Sequence, residues 1–163
     1  MVRVSFEFYT LNFLLSTLYY PHMIYGYILL ILPVIGVLET IYLITKRRKG
    51  QKPICVGKDD CNLVLQSKYN KTFGVHNDVL GLAFYTFSLF VILSLFLPLF
   101  PIDFLVVIFL AYCLGLIIAL IMSIRFIYLM AYKIKAWCQW CIGSAVTVCL
   151  MTVAMILLLM SAY

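Results

Sequence analysis

What most constrains this chain is the recurrence of apolar runs long enough to cross a bilayer. A hydrocarbon core about 30 Å thick needs ~20 consecutive apolar residues at 1.5 Å of helical rise each. Residues 24–45 make one such run, closed by Lys46, Arg47, Arg48 and Lys49. Residues 79–97, 104–131 and 142–160 make three more. Of the 163 residues, 66% are hydrophobic, against about 45 to 50% in soluble domains. The spacing predicts an all-α, integral membrane bundle of four transmembrane helices, occupying 1–163 as a single domain.

Pro98, Pro101 and Asp103 punctuate a tight turn, so the second and third spans are expected to form a helical hairpin. The third span contains Arg125. A long tilted helix with Arg125 snorkelling to the interface is the plain expectation; a functional cation inside the membrane is the sharper one. Residues 1–20 carry Glu7 and lack the basic cluster and small-residue cleavage pattern of a secretory signal. Pro21 ends that segment, which is expected to lie as an interfacial helix.

The formal charge is +6, from 12 Lys and Arg against 6 Asp and Glu. These cations flank apolar spans and accompany no base-reading motif, which points to the lipid bilayer as partner and not to nucleic acid. In a four-span chain, loop 46–78 and the segment before the last span share one side. That side collects Lys46, Arg47, Arg48, Lys49, Lys52, Lys58, Lys68, Lys71, Lys133 and Lys135, and the opposite side only Arg3. The positive-inside rule then predicts a multi-pass protein of the cell membrane with its cysteine-bearing segments in the cytoplasm, the reverse of the usual setting for disulfides.

Six cysteines sort into two pairs and two singles. Cys55 and Cys61 lie in the loop after the first span; Cys138 and Cys141 lie in Trp137-Cys138-Gln139-Trp140-Cys141, where the last span begins. Cys113 and Cys149 fall mid-span and read as small apolar residues. A CxxC at a helix start suits redox chemistry: the helix N-terminus favours a thiolate, and the pair can close into a disulfide. A second dithiol on the same membrane face would let thiolate attack pass a disulfide between pairs. The competing reading is a non-catalytic membrane protein in which all four paired cysteines bind one metal.

In their order these residues resemble the vitamin K epoxide reductase family, in particular its bacterial and archaeal homologues without a fused thioredoxin-like domain. The matching sequence is Cys55-x5-Cys61, Ser67, Phe73-Gly74, Asn77-x3-Gly81-x2-Phe84-Tyr85 and Cys138-x2-Cys141. The bacterial disulfide-bond formation protein B carries its CxxC before its loop cysteines, so its order differs. The resemblance implies a bundle around a membrane quinone (ubiquinone, menaquinone or similar), capped by the loop and a short helix near residues 61–69. It implies that Cys138 and Cys141 are the quinone-proximal pair, with Cys141 engaging the ring, and that Cys55 and Cys61 relay from a partner dithiol. Ser67 matches the family's loop hydroxyl, and Asn77 its amide that hydrogen-bonds a quinone carbonyl. Taken alone, Ser67 reads as a turn hydroxyl and Asn77 as a helix N-cap.

The implied activity is quinone-dependent thiol-disulfide oxidation, generating protein disulfides through a separate thioredoxin-like or protein disulfide isomerase-like partner. The enzyme alternative is vitamin K epoxide or quinone reduction, with the hydroquinone as product of interest. Against specific epoxide reduction, Ala145 stands where vertebrate members have a tyrosine. Some archaeal members look similarly inverted, as the charge count predicts here. Ala111, Gly115 and Ala119 read as a helix-packing seam. Asn70-Lys71-Thr72 reads as a glycosylation sequon, silent in a cytosolic loop. His22 and His76 are too isolated to carry a role.

Overall fold

In the computed structural model, residues 23–55, 61–72, 74–97 and 100–161 are described. The interfacial helix expected over 1–20, His22 and Lys58 fall outside them. Four long helices dominate: α1 (Met23–Arg48), α3 (Asn77–Phe96), α4 (Ile102–Leu129) and α5 (Gln139–Ser161). All four are long and apolar enough to cross a membrane, so the expected all-α four-span bundle is what the chain forms. Between α1 and α3 lie the short helix α2 (Cys61–Gln66), a 3-10 turn Lys68–Asn70, and a two-stranded hairpin of β1 (Lys71–Thr72) and β2 (Val75–His76).

Several helix ends have a legible reason. Lys46, Arg47 and Arg48 complement the carbonyl end of α1. Gly50 then turns left-handed at φ +63, with its N–H on the Arg47 carbonyl and the Gln51 N–H on that of Lys46. Pro33 is fully buried inside α1 without ending it, as transmembrane helices tolerate where neighbouring helices pack. Asp78 sits in the first turn of α3, and its Oδ1 accepts from the Val79 N–H at 2.9 Å, which suits the positive end of the helix. After α4, Met130–Ile134 forms a single π-helical turn, and Lys135 adopts φ 54 before the last helix begins. Hydropathy placed the last span at 142–160, whereas α5 starts three residues earlier, at Gln139.

The core lies where α1, α3, α4 and α5 meet. Tyr85, Val91, Tyr112 and Met151 are buried there with Leu29, Ile92, Leu116 and Val148. Large apolar side chains such as Leu38, Val107, Leu114 and Ile124 point outward and are more than half exposed, as a lipid-facing surface requires. α1 packs against both α3 and α5. Gly36 makes this close approach possible: a Cβ there would lie 2.6 Å from the Tyr85 ring.

Two sequence expectations change. The row Ala111, Gly115, Ala119 is not a continuous packing seam: Ala111 is exposed, while Gly115 and Ala119 line an internal cavity, with Phe84 beside Gly115. Their small size leaves space. Asn70 of the sequon is buried, and its amide donates to the Leu65 carbonyl at 2.7 Å, locking the end of α2. The short helix expected over 61–69 is realised as α2 plus the 3-10 turn, with Ser67 between them.

Candidate functional site

The loop and the two helix junctions meet at one end of the bundle. Cys138 precedes α5, and its carbonyl accepts from the Ile142 N–H at 3.0 Å, so it stands at the helix N-cap with Cys141 in the first turn. Its Sγ accepts from the Cys141 N–H at 3.3 Å and lies 2.7 Å from the Cys141 Sγ. The hydrogen bond from the Cys141 thiol, with the Cys141 and Trp140 amides, holds the Cys138 thiol below its ordinary value despite burial. Cys138 is therefore easier to ionise than an ordinary cysteine.

Cys55 and Cys61 are joined in a disulfide. Cys61 opens α2 and is buried with Val64, Met130 and Cys138 in a second apolar cluster, on which Cys55, Cys141, Phe126 and Ile134 pack. Both cysteine pairs thus share one buried neighbourhood, as their placement on one membrane face predicts. The π-helical turn seats Met130, fully buried, between α2 and the CxxC; such bulges recur at functional sites.

A clamp that sequence reasoning missed holds Cys55 in place. The Ile54 N–H donates to the Tyr42 hydroxyl at 3.0 Å, and the Ile54 carbonyl accepts from the Trp140 indole N–H at 2.8 Å. The Tyr42 and Trp140 rings lie 4.6 Å apart, within the usual range for an aromatic pair. Tyr42 lies on α1 and Trp140 within the CxxC, so the residue before Cys55 is pinned to two helices at once.

Beneath this cluster lies a cavity of about 420 Å³, within the size range of small-molecule sites. Leu43, Phe84, Ile118, Met122, Phe126 and Val148 give it apolar walls, and Cys141, Asn77, Asp78, Tyr85, Arg125 and Glu39 are among its polar lining residues. Cys141 lines the cavity while Cys138 does not. Asn77 is the first residue of α3, with His76 at the N-cap. Its Oδ1 accepts from Thr72 at 2.8 Å, and its Nδ2 is 3.4 Å from the Tyr69 carbonyl. Ser67 is not among the lining residues, and its hydroxyl donates to the Val64 carbonyl at 2.8 Å. Ala145 is on the cavity wall.

At the cysteine end of the cavity, Arg47 and Asp78 form a two-pronged ion pair at 2.8 and 3.2 Å, tying the end of α1 to the start of α3. Burial, with Arg47 nearby, lowers the His76 pKa. Arg125 is exposed and also lines the cavity. Glu39, in the middle of α1, is buried and faces the cavity. It was not among the sequence candidates, although an ionisable residue inside an apolar span is itself a signal. Among the described residues no group of three or more His, Cys, Asp and Glu side chains could hold a metal ion. Two of the four paired sulfurs are in a disulfide and are not thiolate ligands.

Comparison with curated proteins returned no match. The sequence model of the vitamin K epoxide reductase family matches residues 27–156, a stretch that contains both cysteine pairs and the cavity.

Proposed function

Because the chain belongs to the vitamin K epoxide reductase family, whose members are oxidoreductases, we propose that this membrane protein is a quinone-dependent thiol-disulfide oxidoreductase that forms disulfides in a partner protein. The observation that carries this reading is the buried cluster of both cysteine pairs, with Cys141 alone of the four on the wall of an apolar cavity. Bound there, a quinone would supply an acceptor for two electrons and two protons. The cavity suits such a ring: its walls are largely apolar, and a few fixed polar groups reach it. The Asn77 amide, whose oxygen is engaged by Thr72 and one N–H by the Tyr69 carbonyl, has its second N–H to orient a carbonyl. Ser67, bonded to Val64, holds the loop helix in place over the site.

The residues divide the work by position. A thiolate of a thioredoxin-like or protein disulfide isomerase-like partner attacks the Cys55–Cys61 disulfide, and the partner leaves oxidised. The reduced loop pair then reduces a Cys138–Cys141 disulfide, the exchange running through Cys138, which packs on Cys61. Cys141 gives the electron pair to the acceptor as Cys138 closes the disulfide behind it. The surrounding bundle keeps water away from the charge that develops. Ala145 on the cavity wall favours this reading over production of a hydroquinone from vitamin K epoxide. Cys141→Ser is expected to abolish quinone reduction by the reduced protein, read as loss of quinone absorbance. Turnover surviving that change rules out the assignment.

The cation-rich end carries the site, with Lys46, Arg47 and Arg48 closing α1 and Lys133 and Lys135 preceding α5. That distribution supports a cytoplasmic orientation in the cell membrane, and hence a cytoplasmic partner.

A further inference from the structure

Glu39 is the buried group that the relay above leaves without a task. It lies within a membrane-spanning helix, only 8% exposed, and its Oε1 has no hydrogen-bond partner. Such an arrangement destabilises a membrane helix and persists where the carboxyl has work to do. It faces the first turns of α5. A Cβ at Gly143 would lie 3.2 Å from Oε1, so this glycine leaves room for the carboxyl, and the Ser144 backbone N–H is directed at it. Ser144 sits three residues after Cys141, on the same face of α5, and its hydroxyl is 2.8 Å from the Tyr85 hydroxyl.

The other ionisable groups around Glu39 are accounted for. From α3 come Tyr85, held by Ser144, and Asp78, held by Arg47. From the first turn of α5 comes Cys141, on the wall of the same cavity, with Cys138 just before the helix and off that wall. Arg125 of α4 lines the same cavity, and among the described residues no cation forms an ion pair with Glu39. Glu39 and Cys141 therefore meet at one apolar space, the carboxyl with a free oxygen and the thiol with a proton to lose.

We propose that Glu39 is the proton-transfer residue of this cavity, passing a proton to an oxygen of the bound quinone and recovering one from the Cys141 thiol. This rests on the quinone-reducing function proposed above. In the step, the Cys141 S–H bond breaks, the Cys138 thiolate closes the S–S bond, and two electrons pass to the quinone. One proton reaches the acceptor through Glu39. The other, which offsets the proton Cys138 sheds on becoming a thiolate, enters from water.

The test uses the full chain in lipid nanodiscs, with Glu39→Gln and Glu39→Asp, and a water-soluble ubiquinone analogue as probe. Binding is read by quenching of Trp140, a wall residue of the cavity, and exchange between the cysteine pairs by thiol alkylation. In Glu39→Gln, binding and exchange are expected to match the wild type, while quinone reduction falls by about 100-fold or more and Glu39→Asp recovers part of it. The redox difference infrared spectrum of the wild type is expected to show a glutamic carboxyl C=O change that shifts on 13C-glutamate labelling. A reduction rate within roughly twofold of wild type across neutral pH overturns the proposal. So does a slowdown matched by weakened binding, or a wild-type spectrum without the glutamic signal, which needs no variant to fold. A wild type that binds the analogue and never reduces it removes the quinone-reducing function itself, and this inference with it.

Discussion

Cys138 and Cys141 stand three positions apart and do different things because of where the helix begins. Cys138, at the N-cap, collects the Cys141 thiol and two backbone amides, so its thiol ionises below the ordinary range. The sign follows directly: a lowered pKa keeps Cys138 nucleophilic as pH falls through the range where a free thiol is already protonated. Removing the Cys141 hydrogen bond with Cys141→Ala is expected to shift the alkylation profile of Cys138 toward higher pH, followed by mass spectrometry of the reduced protein. An unmoved profile would mean that the helix end alone sets this thiol. Both cysteine pairs were legible in the sequence, since their spacing is local and their chemistry distinctive. Asn77 was legible through its position in an ordered set of residues. Tyr42 and the burial of Glu39 were not, because each depends on which helix comes to lie opposite.

At the scale of elements, the contact between α1 and α3 turns on one absent side chain. The Tyr85 ring lies on Gly36 and its hydroxyl reaches the Ser144 carbonyl at 3.1 Å and the Ser144 hydroxyl, so three helices are joined through a single tyrosine. Gly36→Ala forces that ring away and is expected to destabilise the bundle by about 1 to 3 kcal/mol, seen as a lower unfolding temperature in detergent. An unchanged temperature would mean that α1 shifts to absorb the methyl group. Hydropathy located all four helices because bilayer crossing imposes a length that composition must fill. It left out the first turn of α5, which carries Gln139 beside Trp140 and Cys141 and adds little to an apolar run. The hairpin of β1 and β2 went unforeseen, since strands of two residues are too short to leave an alternating pattern.

Across the whole molecule, the loop after α1, the ends of α1 and α4 and the starts of α3 and α5 gather at one end, and nearly all the cations among the described residues gather with them. On that asymmetry, an impermeant maleimide is expected to leave the reduced paired cysteines unlabelled in intact cells and to label them after lysis, in a variant lacking Cys113 and Cys149. Labelling before lysis would place the site outside and make exported proteins its clients. The loop that carries Cys55 is fastened to this end through the main chain of Ile54, whose side chain is 70% exposed and takes no part. Any residue with an N–H can make that fastening, and proline alone cannot. The side chain at position 54 can thus change without loosening the joint, whose only marks in the sequence are its two partners, Tyr42 and Trp140.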